Sequence, residues 1–267
     1  MMQYTFSTLG CPELDLDGAI ALAARHGLHI LELRALGNST DLPAWFEEHL
    51  GSPAGLAAHL RERHMSVCAL GTSFKLVGHK DSDRAQLVDF VRWADEADVP
   101  WLRVFDGGSR GDAGEVAEAS AVLRWWREQR IKNNWSVELL VETHDGFVAS
   151  GALHELISHV PQVNLLWDAH HTWKKGGEAP SHTWRTVRNH VRHIHVKDSV
   201  ARPSPGGSHP YTYVLPGEGE FPMAELRHSL REDSYNGVLS LEWERMWHPY
   251  LPDLDKALHH AAQTRWW

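Results

Sequence analysis

The sequence predicts an α/β protein folded as a single (β/α)8 TIM barrel. Short apolar runs alternate with longer amphipathic runs about eight times along the chain. The length of 267 residues suits such a barrel, which typically needs about 250. No flexible linker interrupts the alternation, so we expect one domain over residues 1–267. An open doubly wound sheet is the alternative, but no GxGxxG follows the first strand, which leaves dinucleotide binding without support.

The first half of the chain opens with the apolar run "QYTFST" (3–8) and an amphipathic helix that Asp15 can cap and Gly27 can stop. A helical region with prolines at 43 and 53 is predicted to be broken. The remaining strands are predicted at "HILELR" (29–34), "SVCAL" (66–70) and "WLRVFD" (101–106), with helical runs at about 42–64, 81–98 and 113–131.

The second half continues the same alternation. Strands are predicted at "SVELLVE" (136–142), "VNLLWD" (163–168), "HIHVKD" (193–198) and "GVLSLEWE" (237–244), with helices near 148–159, 182–190, 222–232 and 252–264. The segment 197–222 is longer than an ordinary βα connection, and "HPYTYVL" within it can form one strand of a small hairpin. Long loops at a barrel's catalytic face are often binding loops or lids, and a surface excursion is the alternative.

Composition narrows the functional classes. Lys and Arg number 26 against 35 Asp and Glu, and the resulting charge of −9 disfavours nucleic acid as a partner. Cys11 and Cys68 are too few and too far apart for a disulfide framework or a thiolate zinc site. Neither a signal peptide nor a membrane-spanning run is recognisable, so we expect a cytoplasmic protein without membrane contact. The sequence is compatible with a homo-oligomer as well as with a monomer.

Acids or imidazoles stand at the ends of four predicted strands in the second half: Glu142, Asp168, His195 and Glu242. Because βα loops of a barrel meet at one face, these side chains can converge on one cation. Three carboxylates and one imidazole favour Mn²⁺ as a single divalent ion, with Mg²⁺, Co²⁺ and Zn²⁺ as alternatives. Each residue alone also fits a helix cap or surface position. Side-chain alternation cannot choose between His193 and His195, or between Glu242 and Glu244.

The segments "VETHDG", "WDAHHTW", "HIHVKD", "PGEGEFP" and "SLEWE" follow one another in an order that resembles the sugar phosphate isomerase/epimerase family of xylose-isomerase-like TIM barrels. The resemblance covers nearly the whole chain. It implies Glu142, Asp168, His195 and Glu242 as metal ligands, choosing His195 over His193 and Glu242 over Glu244.

The same resemblance implies a substrate shell around the metal. Its members would be His171, His144, Lys197, Arg103 and Glu218. His170 is expected to face away from the site. A strand-end Arg or Lys can equally form an ion pair with an internal carboxylate.

The chemistry implied is enediolate-type proton transfer on a keto-sugar or related polyol, with Glu142 and Glu242 as both ligands and proton carriers. The product would be an epimer or an isomer, and loss of a β-hydroxyl would make the enzyme a dehydratase. No Arg-, Lys- and Gly-rich cluster marks a phosphate pocket, so a neutral substrate is preferred. The rival classes are an apurinic-site endonuclease-like phosphodiesterase and a non-catalytic sugar-binding barrel.

Overall fold

A computed structural model describes residues 2–205 and 210–267. Eight parallel strands form one sheet in the order β1-β10-β7-β6-β5-β4-β3-β2, and a parallel bridge between Ser7 and Glu32 joins the two ends into a nearly closed barrel. The barrel strands are β1 Gln3–Phe6, β2 Ile30–Leu33, β3 Ser66–Val77, β4 Trp101–Gly107, β5 Glu138–Glu142, β6 Leu165–Asp168, β7 Val191–Val196 and β10 Val238–Leu241. The predicted (β/α)8 fold is confirmed.

Helices follow the strands and cover the outside of the barrel. They are α1 Leu16–Arg25, α2 Leu42–Leu50, α3 Pro53–Glu62, α4 Asp81–Asp89, α5 Val91–Glu96, α6 Ala113–Asn133, α7 Ser150–His159, α8 Ala169–Lys174, α9 Pro180–Val187, α10 Met223–Glu232 and α11 Leu254–Gln263. Trp93, Trp167 and Trp243 are fully buried and belong to the main hydrophobic cluster. Within the described ranges, no helix is long and apolar enough to cross a membrane.

The predicted caps and breaks of the early helices are confirmed. Asp15 Oδ1 accepts a hydrogen bond of 2.7 Å from the Gly18 amide at the start of α1, and Gly27 follows the helix with a φ of +67°. The region 42–64 is broken into α2 and α3, and Gly51 between them has a φ of +72°. Local sequence chemistry therefore sets these boundaries.

Four predicted elements need correction. The run 81–98 is two helices, because Phe90 donates to Leu87 rather than to a residue four positions back. Strand β3 continues to Val77, well beyond residue 70, and the short helix α8 begins directly after β6. The predicted strand 193–198 is divided at Lys197, since β7 ends at Val196 and a new strand begins at Asp198. The predicted strand 237–244 ends at Leu241.

The segment 197–222 contains the predicted hairpin. Strand β8 (Asp198–Val200) pairs antiparallel with β9 (Thr212–Val214). The Asp198 carboxylate accepts hydrogen bonds from the amides of Gly217, Gly219 and Phe221, which ties the end of the segment to its beginning. The middle of the predicted loop, 206–209, lies outside the described residues. The described parts of the segment are thus anchored above the carboxyl end of β7.

Candidate metal centre

Backbone register brings the strand-end residues of the second half to one level. Asp168 on β6 is the register partner of His195 on β7, and His195 is in turn the partner of Ser240 on β10. Glu142 is the last residue of β5, and Glu242 follows β10 immediately. All four side chains of the predicted ligand set are buried. The carboxyl ends of four neighbouring strands thus direct three carboxylates and one imidazole to the same interior space.

These four side chains form a group whose members each offer one ligand atom, and all these atoms lie within 4.8 Å of one another. Nδ1 of His195 lies 3.3 Å from Glu242 Oε1, 3.5 Å from Glu142 Oε1 and 4.0 Å from Asp168 Oδ2. This nitrogen is buried and makes no hydrogen bond within the described part of the chain. A buried, oxygen-rich donor set with one free imidazole nitrogen fits a divalent cation.

Asp168 serves both purposes that a strand-end acid can have. Its Oδ1 accepts a hydrogen bond of 2.8 Å from the His171 amide and so caps helix α8, while its Oδ2 belongs to the four-residue group. Burial raises the pKa of Asp168 to about 6, against the attraction of the nearby Lys197 ammonium. The helix cap thus fixes the orientation of this carboxylate.

Two buried cations neutralise this carboxylate cluster. The Lys197 ammonium lies 2.7 Å from Asp168 Oδ2 and also contacts Glu242, while Arg103 Nε lies 3.3 Å from Glu142 Oε2. Although burial disfavours charge, the carboxylates hold the pKa of Lys197 well above its usual value. The pKa of Glu242 is held well below its usual value by His195 and Lys197. Lys197 is therefore a charged hydrogen-bond donor, and Glu242 is ionised at neutral pH.

His171 and His144 stand side by side at the same end of the barrel. Their ring centroids are 4.7 Å apart in an edge-to-face arrangement. His171 Nδ1 lies 3.2 Å from the Thr143 carbonyl, which only accepts hydrogen bonds, so the proton is assigned to Nδ1 and the lone pair to Nε2. Burial lowers the pKa of His171 well below its usual value, and the imidazole is neutral. Its Nε2 is thus a hydrogen-bond acceptor.

Glu32 on β2 was not predicted, and it supports His195 from the other side. Its carboxylate lies 2.9 Å from His195 Nε2, 3.1 Å from His193 Nε2, and accepts a hydrogen bond of 2.7 Å from Ser240 Oγ. Nε2 of His195 thus faces Glu32 while Nδ1 faces the four-residue group. A carboxylate behind a metal-binding imidazole fixes the orientation of the ring. His193, on the same strand face, contacts Glu32 and is not in the four-residue group.

Arg34 was also missed. It follows β2, is buried, and donates a hydrogen bond of 3.1 Å from Nη2 to Ser73 Oγ. The signal was present in "HILELR", because Glu32 and Arg34 share the face opposite the apolar residues Leu31 and Leu33. In a barrel strand, that pattern places two charged side chains in the interior.

Not every predicted shell residue joins the cluster. Glu218 has a side chain that is 52% exposed and lies 3.3 Å from His260 Nε2 on α11, outside the four-residue group. Glu244 lies closer, with Oε1 2.7 Å from the Lys197 ammonium and 2.8 Å from the Tyr213 hydroxyl. His170, expected to face away, hydrogen-bonds Ser199 Oγ at 2.8 Å and packs against Tyr211 and Tyr213. It faces the hairpin segment.

Two further acid and imidazole groups occur among the described residues: Glu32 with His193 and His195, and Asp106 with His144 and Asp145. The Glu32 carboxylate is already engaged by its neighbours. Asp106 accepts hydrogen bonds from the amides of His144, Asp145 and Phe147, which holds the loop after β5. In both groups, the carboxylate therefore already has partners within the protein.

Comparison with known proteins agrees with this architecture. A family model described as "Xylose isomerase-like TIM barrel" matches residues 20–265. No curated protein sequence matches the chain.

Several solved structures share the fold. The probable 3-DHS dehydratase AsbF of Bacillus anthracis, involved in petrobactin synthesis, has a TM-score of 0.79 at 18% identity, over 99% of this chain and 100% of that one. IOLI protein with a bound zinc atom has a TM-score of 0.74 at 18% identity, over 99% and 96%. A D-psicose 3-epimerase determined in the presence of D-fructose has a TM-score of 0.71 at 15% identity, over 99% and 98%. At these identities the likeness shows the fold.

Proposed function

Because this chain belongs to the xylose isomerase-like TIM barrel family, we propose that it is a divalent-metal-dependent isomerase or epimerase that moves a proton beside the carbonyl of a keto-sugar or related polyol. The observation that carries the proposal is the buried group of Glu142, Asp168, His195 and Glu242, with its ligand atoms within 4.8 Å of one another. We assign one divalent ion to these four side chains, with Mn²⁺ preferred. Such an ion would polarise a substrate carbonyl and make the neighbouring C–H more acidic.

Glu142 and Glu242 are the proposed proton carriers. Strands β6 and β7 lie between β5 and β10 in the sheet, so the two carboxylates approach the centre from different directions. Despite burial and the charge of Glu242, Arg103 and His195 lower the pKa of Glu142, so that it is ionised and able to accept a proton. One base on each side of the substrate is the requirement for epimerisation.

The neighbouring side chains would position the substrate. His171, neutral and with its lone pair on Nε2, would accept a hydrogen bond from a substrate hydroxyl. The Lys197 ammonium would donate to a substrate oxygen, and His144 beside His171 would line the rim. Glu218, which pairs with His260, has no part in this proposal.

A dehydratase is the second candidate, and the position of Lys197 favours it. Loss of a hydroxyl needs stabilisation of the leaving oxygen as well as a base, and the Lys197 ammonium, which can donate a hydrogen bond to that oxygen, contacts the proposed base Glu242. The fold neighbour AsbF is described as a probable dehydratase. An endonuclease-like role receives less support, because the two other acid and imidazole groups among the described residues are engaged in internal contacts.

Proton exchange tests this function directly. Metal-loaded enzyme incubated in D₂O with a panel of keto-sugars should place deuterium beside the carbonyl, as seen by NMR. Glu142→Gln and Glu242→Gln should retain metal while turnover falls about 10²-fold or more, the usual effect of a lost acid or base. Glu138→Gln, at the opposite end of β5, is the matched control and should exchange normally.

The outcomes separate the candidates. Deuterium in one epimer only, in each Glu variant, would indicate one base per face. Formation of a product that has lost one molecule of water would identify the dehydratase. Near-normal turnover in both Glu variants would show that these carboxylates are ligands only, and a metal-loaded enzyme that exchanges no proton in any keto-sugar would contradict the proposal.

A further inference from the structure

Arg34 is a buried cation that makes no ion pair within the described part of the chain. Only 5% of its surface is exposed. Its Nη2 donates to the neutral Ser73 hydroxyl, and its Nη1 has no hydrogen-bond acceptor. A buried guanidinium is ordinarily paired, since removing its charge from water is costly. The buried Nη1 without an acceptor among the described residues therefore points to a bound anion as its partner.

A second guanidinium lies beside the first. Arg103 is 2% exposed, and its Nε and Nη1 also make no hydrogen bond in the described parts of the chain. A Cβ atom built on Gly71 would lie 2.6 Å from Arg34 Cδ and 3.0 Å from Arg103 Nη2, so the two side chains meet over this glycine. Burial, with the nearby Arg103 charge, lowers the pKa of Arg34 to about 9, although the charges of Glu142, Glu242 and Glu32 oppose this shift. Two like charges in one buried space are favourable only when an anion lies with them.

The nearby carboxylates Glu32 and Glu142 already contact other groups. Glu32 is engaged by His193, His195 and Ser240. Glu142 contacts Arg103, but in the proposed function it is a metal ligand, and the bound cation would take over much of its charge. Phe105 stacks against the Arg103 guanidinium at 4.0 Å, which fixes the plane of its N–H groups. Free donors then remain on both arginines.

We propose that Arg34 and Arg103 bind a carboxylate of the substrate, so that the enzyme acts on a keto-sugar acid or keto-polyol acid rather than on a neutral sugar. Arginine presents a planar fork of N–H donors that matches a carboxylate. This inference rests on the proposed function for the rest of the site, and it replaces the neutral substrate preferred from the sequence. The substrate would place its carboxylate toward β2 and β4 and its carbonyl toward the metal ligands.

A matched pair of probes tests the inference. D-fructuronate and D-fructose share a ketose chain and differ in the oxidation of the terminal carbon. Calorimetric titration of the metal-loaded enzyme should show D-fructuronate binding about 10- to 100-fold more tightly, the range expected for charge-assisted hydrogen bonds. Arg34→Gln should remove most of this difference while leaving metal content and the affinity for D-fructose unchanged.

Three further variants distinguish a built site from general electrostatics. Lys75→Gln removes an exposed cation that pairs with Asp145, and it should keep the preference for the acid. Gly71→Ala should reduce the preference, because its methyl group would displace both arginines. Arg34→Lys keeps the charge without the fork and should retain only part of the preference, which controls for a fold that does not tolerate glutamine.

The results distinguish this inference from the function on which it rests. Equal affinities for the two probes, no binding of either probe, or a full preference in a folded Arg34→Gln variant would each overturn it. Failure of the wild-type chain to bind a divalent ion would instead contradict the proposed function.

Discussion

The two halves of the barrel contribute different groups of charged side chains to the same interior. Strands β5, β6, β7 and β10 carry the candidate ligands Glu142, Asp168, His195 and Glu242 at their ends. Arg34, directly after β2, and Arg103 on β4 belong to the first half, and each buried guanidinium has an N–H group without an acceptor among the described residues. The four-residue group is thus suited to a cation and the two arginines to an anion. A substrate that bridges them would be held at two chemically different ends.

The comparison also shows that position at a strand end is not sufficient for a ligand. Asp106 on β4 and Asp168 on β6 are both buried acids near the ends of barrel strands. Both Asp106 oxygens accept amide hydrogen bonds from the loop after β5, whereas Asp168 caps α8 with one oxygen and directs the other to the cluster. Asp168 Oδ2, which contacts the Lys197 ammonium and accepts no backbone amide hydrogen bond among the described residues, is the oxygen available to a metal.

The largest expected effect is on metal binding in the second half. Asp168→Ala or His195→Ala should weaken binding of one divalent ion per chain by well over 100-fold, since each removes a ligand, and loss of a supporting contact alone typically costs 10- to 100-fold. Elemental analysis after gel filtration, with circular dichroism to confirm folding, provides the measurement. Full metal occupancy in either folded variant would show that the ligand set is wrong.

Substitution of Glu32 tests whether a residue of the first half helps to orient the ligand His195. Glu32→Gln removes the charge behind His195 and should reduce metal affinity about 10- to 100-fold, the usual range for a group that orients a ligand. Isothermal titration with Mn²⁺ measures the change. An unchanged affinity for Mn²⁺ would mean that the contact of 2.9 Å between Glu32 and His195 Nε2 contributes to packing in the barrel interior and not to metal binding.

Metal affinity should depend on pH through His195. Although burial opposes the imidazolium, Glu242 and Glu32 hold the pKa of His195 well above its usual value, so a metal ion must displace a proton. Affinity should therefore rise with pH, by up to about tenfold per unit below that pKa, and fall as the solution is acidified. Titrations with Mn²⁺ in buffers of different ionisation enthalpy would count the released proton, and a count of zero across the range would contradict the account.

Substitution of Asp106 should have the smallest effect on metal affinity. Asp106→Ala removes the acceptor for three loop amides and should lower the free energy of unfolding by about 1–3 kcal/mol, the cost of leaving buried donors unpaired. Metal affinity should stay within about threefold of wild type, because the carboxylate lies outside the ligand group. Thermal unfolding measures the change in stability, and Mn²⁺ titration measures the change in metal affinity. A loss of metal comparable to that of Asp168→Ala would show that Asp106 and Asp168 do not differ in their importance for metal binding.

Much of the fold was predictable because local patterns carry it. Each predicted strand overlaps an observed barrel strand, and Asp15 and Gly27 bound α1 by local hydrogen bonding and a left-handed backbone. The division of 81–98 at Phe90 was not predictable, since the apolar spacing runs through the break. Helix α8 escaped notice because it is only six residues long.

The candidate site was predictable only in part. The four strand-end residues that the sequence singled out lie together in the structure, and Lys197, Arg103, His171 and His144 lie around them. Glu32 and Arg34 were missed because their partners on β7 and β3 are distant in sequence and meet them only when the barrel closes. Glu218, predicted for the substrate shell, contacts His260, because the path of a long loop is set by such tertiary contacts.

The central claim is a divalent ion among Glu142, Asp168, His195 and Glu242, and anomalous X-ray diffraction tests it most directly. Crystals of the Mn²⁺-loaded protein, measured on both sides of the manganese absorption edge, should show one strong anomalous peak bounded by these four side chains. A peak bound elsewhere on the chain, or no peak in protein that retains manganese in solution, would contradict the account.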